Sequence, residues 1–294
     1  MKKEKTEQYE SAIEVADGIY WIGFYDVDSG LHCNPYLIVD HDEAVVIDGG
    51  SRPDFPTVMM KILRTGVALP GIKALIYQHY DPDLCGSIPN FEALIGQPGL
   101  KIISDAANHM FIRHYAVKSH LVSLESIGHE YRFKSGRVLR FVNTPYSHSP
   151  GSFVTFDTRT NVLFSSDLFG SYGSQWELFF KLDAYCIECN TFPVCPNKKT
   201  YCPLYNILRF HQHIMTSAKA LRHSLKQILK IPFMKILPQH GSIISQPNDF
   251  VLLFKLLGNA DDIGIDAITT EKSGLSHEDI QIRFVDRGDN FNGN

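Results

Sequence analysis

The sequence predicts an α/β domain, sheets covered by helices, and three features predict it. Short β-branched and aromatic runs recur between turn residues across the first two-thirds of the chain. Amphipathic helical patterns are interspersed among those runs. Several of the runs stop at a residue able to ligate a metal.

The strand candidates are 19–23, 35–39 and 44–48, then 72–77, 139–143, 153–157, 162–165 and 234–237. Between the third and fourth lies 53–64, where Phe55, Val58, Met59, Ile62 and Leu63 fall at helical spacing. A long helix is expected from about 204 to 231, because Ile207, Leu208, Ile214, Met215, Ala218, Leu221, Leu225 and Ile228 keep one apolar stripe. A last helix follows at 249–257. These elements assign 1–260 to one domain, with a Cys-rich insert at about 184–203, and 261–294 to a C-terminal tail, partly ordered or a linker, and no repeat of solenoid length is present.

At 294 residues the chain can bury one large core or two small ones. It is 44% apolar and 20% charged, as soluble globular proteins are. A net charge of −4, with scattered lysines and arginines, excludes a nucleic-acid surface or a basic membrane patch. The N-terminus is charged and no apolar run follows it, so a cytoplasmic address is expected and no membrane span. The six cysteines then read as thiols or metal ligands rather than a disulfide framework.

Four strand ends carry the chemistry. Run 72–77 leads into Gln78-His79-Tyr80-Asp81-Pro82-Asp83, run 139–143 into His148, run 162–165 into Asp167, and run 234–237 into His240-Gly241. In layered α/β folds ligands bind beyond strand ends, so three imidazoles and three carboxylates are expected to meet in one cleft. A donor set this rich in carboxylate suits iron or manganese better than zinc. Three carboxylates against two divalent cations leave a residual charge of about +1, which favours a small anion.

This order, His-x-Asp-x-Asp, then His, Asp and His-Gly, resembles the metallo-β-lactamase superfamily. Within it, residues 78–89 look like the flavodiiron branch, as do Thr144-Pro-Tyr-Ser-His148, the segment 163–170, Leu237-Pro-Gln-His240-Gly, Gly18-Ile-Tyr-Trp-Ile-Gly23 and Val45-Val-Ile-Asp48. The resemblance covers about residues 15–260 and implies a four-layer αββα sandwich. It also implies two iron ions, one on His79, Asp81 and His148, the other on Asp83 and His240, with Asp167 bridging.

The chain departs from that branch in three ways. Leu84 stands where a further His is usual, which is expected to leave an open, apolar-sided position on the second iron. Asp81 stands where the reductases commonly carry Glu. About 50 residues follow His240, too few for an FMN-binding flavodoxin module. Without that flavin the leading expectation is a protein similar to the oxygen-binding diiron proteins of bacterial signalling, which bind and report dioxygen. A second reading is an O2 or NO reductase fed by a separate electron-transfer protein. A third is a zinc- or manganese-dependent hydrolase. Reductase relatives pair as dimers, so a homodimer is a further expectation.

Cys186, Cys189, Cys195 and Cys202 fall within 17 positions and could hold zinc or an iron–sulfur cluster, or remain thiols. Cys33 and Cys85 stand apart from them, Cys85 as small apolar filler. Tyr80 and Tyr146 flank ligand candidates, either as donors to a bound oxygen species or as packing. His211 and His213 are placed on the polar side of the long helix, two apart and so on different faces. His109, His114 and His120 are placed near the pocket rim.

Overall fold

The computed structural model describes residues 9–269 other than 27, 116, 183–185 and 187–200. One sheet holds seven strands in sequence order: β1 (Ile13–Ala16), β2 (Ile19–Trp21), β3 (Tyr36–Asp40), β4 (Glu43–Ile47), β5 (Ile72–Ile76), β6 (Lys101–Ser104) and β7 (His120–Ser123). It is antiparallel from β1 to β4 and parallel from β4 to β7. The other sheet runs in the order β12 (Lys235–Leu237), β11 (Val162–Phe164), β10 (Phe153–Asp157), β9 (Val138–Asn143) and β8 (Glu130–Arg132). Its β11 and β12 are parallel and the remaining pairs antiparallel.

The period-two alternation of the strands decides the layers. On β3 and β4, Tyr36, Ile38, Val45 and Ile47 meet Phe141, Phe153 and Phe164 of the other sheet in a central core. Their neighbours Leu37, Ala44 and Val46 point outward, under α1 (Phe55–Arg64) and α3 (Ile88–Ile95), and a short α2 (Pro82–Cys85) precedes α3. In the other sheet Val154, Leu163 and Ile236 point outward. They lie under α5 (Pro203–Ile214), α6 (Ala218–Ile228) and α7 (Pro247–Gly258). With α4 (Ala106–Ile112) between β6 and β7, the result is the expected αββα sandwich.

The long helix expected at 204–231 is two helices. The chain is extended at Met215, and Ser217 caps α6 by accepting a hydrogen bond from the Ala220 N–H. The apolar stripe crosses the break because both helices pack on the same core, through Ile207, Met215, Leu221 and Leu225. Residues 261–269 are packed against the domain: Ile263 is fully buried, Gly264 bridges to Ser217, and the Ala218 N–H donates to Asp266. Among the described residues no helix is long and apolar enough to cross a membrane.

Candidate metal centre

The candidate ligands stand in the segments that follow β5, β9, β11 and β12, with Asp83 inside the short α2, and hydrogen bonds hold the segments after β5, β11 and β12 in place. After β5, Asp48 at the end of β4 accepts from the Gln78 backbone N–H at 3.0 Å and from Gln78 Nε2 at 2.8 Å. Asp48 is buried, and that burial, reinforced by the charges of Asp167 and Asp83, pushes its carboxyl up to about 7 against the pull of the Gln78 donors. His79 comes next. Asp81 occupies the N-cap position of α2, yet its carboxylate makes no capping bond, which leaves it to face the imidazoles.

In the other sheet, Ser165 N–H donates to Leu237 O and Gln239 N–H to Ser166 O, so the loops carrying Asp167 and His240 are laced together. Ser166 takes a left-handed backbone (φ 53°), which turns the chain into Asp167. Asn34 holds the last loop from outside, donating from Nδ2 to Pro238 O and Gly241 O, while Tyr36 OH also donates to Pro238 O. Gly241 (φ 86°) has no room for a side chain: a Cβ there would stand 2.3 Å from Ser171 Oγ.

The six residues meet in two groups joined by one carboxylate. In the first group Asp81 Oδ2 lies 3.8 Å from His79 Nε2 and 3.4 Å from His148 Nε2. In the second, Asp83 Oδ2 lies 3.1 Å from His240 Nε2. Asp167 stands between. Its Oδ2 is 3.0 Å from His148 Nε2 and 3.8 Å from His79 Nε2, and its Oδ1 is 3.7 Å from His240 Nε2. That Oδ1 is buried without a hydrogen-bond partner, a cost that a cation on the His240 side would remove.

Protons are shared unevenly across this cluster. Burial works against charge on all four residues named next, but mutual attraction wins. The imidazoles hold Asp83 and Asp167 below the ordinary carboxylate range, Asp83 chiefly through His240 and Asp167 chiefly through His79. His148 is raised chiefly by Asp167, and His240 well raised by Cys33 and Asp83. Metal cations would take the place of those protons.

All six line a cavity of about 220 Å³, together with Leu31, Phe210, His213 and Ile214. Other expectations change. Leu84 does not border it: the side chain is fully buried in the layer between the seven-stranded sheet and its helices, with Val58, Tyr77 and Phe91. The apolar wall comes instead from Leu31, Phe210 and Ile214. Tyr80 and Tyr146 are not on the wall either, since Tyr80 stacks on Phe111 at 4.2 Å and Tyr146 is 55% exposed. His109, His114 and His120 also lie off it, on and after α4 toward the β7 edge.

His211, expected on a polar face, is fully buried. Its Nε2 accepts from the Phe169 N–H at 3.0 Å, and burial lowers it to about 4. Cys85 packs in the core as expected. Of the four-cysteine segment, Cys189 and Cys195 lie outside the described residues; Cys202 Sγ accepts from the Tyr205 N–H, and both Cys186 and Cys202 pack against the core under α5–α7.

The sequence reading set Cys33 aside, whereas the fold brings it to the centre. Its Sγ is 3.8 Å from His240 Nδ1 and 3.9 Å from Asp83 Oδ2. Gln239 Nε2 donates to the same Asp83 oxygen at 2.9 Å, and Ser166 Oγ meets His79 Nδ1 at 3.0 Å. Cys33 and Ser166 touch the Nδ1 sides of His240 and His79, away from the Nε2 atoms that face the carboxylates, where a partner fixes tautomer and orientation, while Gln239 holds the Asp83 oxygen that faces His240. Cys33 pairs with His240 in an isolated bridge and places its sulfur with the ligand atoms of Asp83 and His240 within 4.8 Å of one another, a grouping of distant segments that no local sequence pattern marks.

Three comparisons extend the picture. The chemotaxis sensor ODP from T. denticola, in its apo state, superposes with a TM-score of 0.69 at 24% identity, covering 87% of this chain and 96% of that one. The peroxy diiron species of chemotaxis sensor ODP gives 0.67 at 22% identity, with 87% and 97% covered. The anaerobic nitric oxide reductase flavorubredoxin of Pectobacterium carotovorum subsp. carotovorum (strain PC1) is 27% identical over 180 residues, 57% of this chain and 35% of its own length. This chain thus spans about a third of that curated relative. The family model described as "ODP family beta lactamase" matches residues 31–241, from the loop before Cys33 through the His240-Gly241 turn. On that match, which takes in all six candidate ligands, the chain belongs to the ODP beta-lactamase family.

Proposed function

We propose that this protein is a non-haem diiron protein that binds dioxygen and reports it. One observation carries the reading: Asp167 turns one oxygen toward the His79–His148 group and the other, unpartnered and buried, toward His240. That is how a carboxylate bridges two cations. His79, Asp81 and His148 would hold one iron and Asp83 and His240 the other. The donor set fits, with imidazole Nε2 atoms and carboxylates converging and, among the described residues, no lysine or arginine on the wall. When bound and reduced, the iron pair supplies the electrons and open positions that dioxygen needs. The chain's own residues set the conditions: three carboxylates balance most of the metal charge, and Leu31, Phe210 and Ile214 keep the approach apolar. The ODP structures are described as those of a chemotaxis sensor, which supports a signalling role.

A second reading is reduction of O2 or NO with electrons from a separate protein, favoured by the match to the flavorubredoxin core. Anaerobic loading with ferrous iron, followed by air, separates them. A long-lived visible charge-transfer band is the expected result. Rapid, repeated oxygen consumption with an added reductant would move the assignment to the reductase. Stoichiometric zinc, no spectral change and hydrolysis of an ester or thioester would overturn both.

A further inference from the structure

Of the ten side chains around the 220 Å³ cavity, six are candidate ligands and three are apolar. The tenth is His213. We propose that His213, oriented by Tyr172, is the hydrogen-bond donor this cavity presents to a small ligand bound at the metal pair, an inference that rests on the two-metal reading.

His213 lies in the last turn of α5 and is exposed at the cavity mouth. Its near neighbour His211 faces the other way, with Nδ1 on Ile207 O at 2.7 Å and Nε2 on the Phe169 N–H. Two residues along a helix are about 200° apart, so one imidazole is spent on the fold and the other is left for the cavity. Tyr172 OH sits 2.8 Å from His213 Nδ1, with the two rings 19° from parallel. When the phenol donates to Nδ1, the neutral imidazole carries its proton on Nε2, and that nitrogen is a donor.

Tyr172 also lines a neighbouring cavity of about 400 Å³, which shares Leu31, Phe210 and Ile214 with the first. A small molecule coming from there leaves a cavity that Asp28, Ser29, Tyr172 and Ser174 also line, passes Leu31, Phe210 and Ile214, and reaches His213, the one polar lining residue of the metal cavity among the described residues that is not a candidate ligand. That apolar passage admits a diatomic, and the donor at its end favours whichever bound ligand gains negative charge. His213 therefore acts as a positioning residue for the ligand and not as a metal donor.

Azide on the cobalt(II)-loaded full chain tests this without turnover. Metal stoichiometry, thermal midpoint and azide affinity, read from the cobalt absorption spectrum, are measured for each variant. His213→Ala is expected to keep two cobalt ions and an unchanged midpoint while weakening azide by about tenfold or more, the loss of one hydrogen bond to a charged group. His213→Gln keeps a side-chain N–H and should recover most of that affinity. Tyr172→Phe, which frees the tautomer, should fall between them. Unchanged azide affinity in His213→Ala with two cobalt ions bound overturns the proposal, as does a His213→Gln variant no better than His213→Ala. Wild-type protein that holds fewer than two cobalt ions would overturn the two-metal reading itself, and this inference with it.

Discussion

In one half of the centre His79 and His148 both face Asp81, whereas in the other a single imidazole, His240, faces Asp83. The supports differ as well. The first half stands on a buried carboxylate and its amide, Asp48 and Gln78, with Ser166 behind His79. The second stands on a thiol and two amides, with Cys33 and Gln239 on its ligands and Asn34 bracing the loop. Counting Cys33, each half brings three possible donor atoms within 4.8 Å of one another. With Cys33 acting as a support for His240 and not as a ligand, the second half would offer fewer donors and leave more of a metal's coordination sphere for outside ligands, and the two halves would divide the work into holding and exposing.

The largest effect should come from the residue the halves share. Asp167→Ala is expected to lower metal content from two ions to fewer than one per chain, read by elemental analysis, while His148→Ala should still retain the ion on the Asp83–His240 side. Equal losses in the two variants would mean that the halves are not separable. Next in size is the support on the exposing side. Cys33→Ala should weaken one of the two metal-binding steps about 10- to 100-fold in a competition titration with a chelator, and Cys33→Ser should do less harm. An unaltered pair of binding constants would remove Cys33 from the account.

The support on the holding side is tested by pH. The folded-state value of Asp48 is raised from 3.8 to about 7, so its protonation stabilises the fold in acid, and that contribution is lost as pH rises from about 3.8 through 7. Above that, an ionised buried carboxylate remains. Gln78 Oε1 lacks a hydrogen-bond partner, and in Asp48→Asn an amide flip would let the new Nδ2 donate to it. The Tm of Asp48→Asn should therefore rise relative to wild type as pH increases from about 5 to 8. A Tm difference that stays flat across that range would show that Asp48 does not titrate there. The smallest effect concerns Leu84. Because this side chain is in the core, Leu84→His should cost about 1–3 kcal/mol of stability by burying an imidazole without a partner, with metal affinity unchanged. A fourth imidazole ligand appearing in the metal spectrum would reverse that conclusion.

Much of this was legible in the sequence because strand-end residues advertise themselves: an apolar run stops, and His79, His148, Asp167 or His240 follows. The layers were legible for the same reason, as alternation on β3 and β4 already separates two cores. What escaped was set by contacts between distant segments. Cys33 meets His240 across 207 positions, and no local pattern marks it. His211 and His213 stand on different faces of the helix, but only the contacts with Phe169 and Tyr172 show which of the two is buried in the fold and which is left at the cavity. Leu84 follows Asp83 directly, but adjacency says nothing about direction inside a four-residue helix. The break at Met215 was hidden by an apolar stripe that both helices need for the same sheet.

The origin of the ligands has a mechanical meaning. His79, Asp81 and Asp83 hang from the seven-stranded sheet, and His148, Asp167 and His240 from its five-stranded partner. A metal held by these groups would therefore fasten one sheet to the other, like a rivet through two plates. Emptying or refilling the pair would then change how firmly the plates are joined, and the state of a few atoms at the rim would be felt across the whole body of the sandwich.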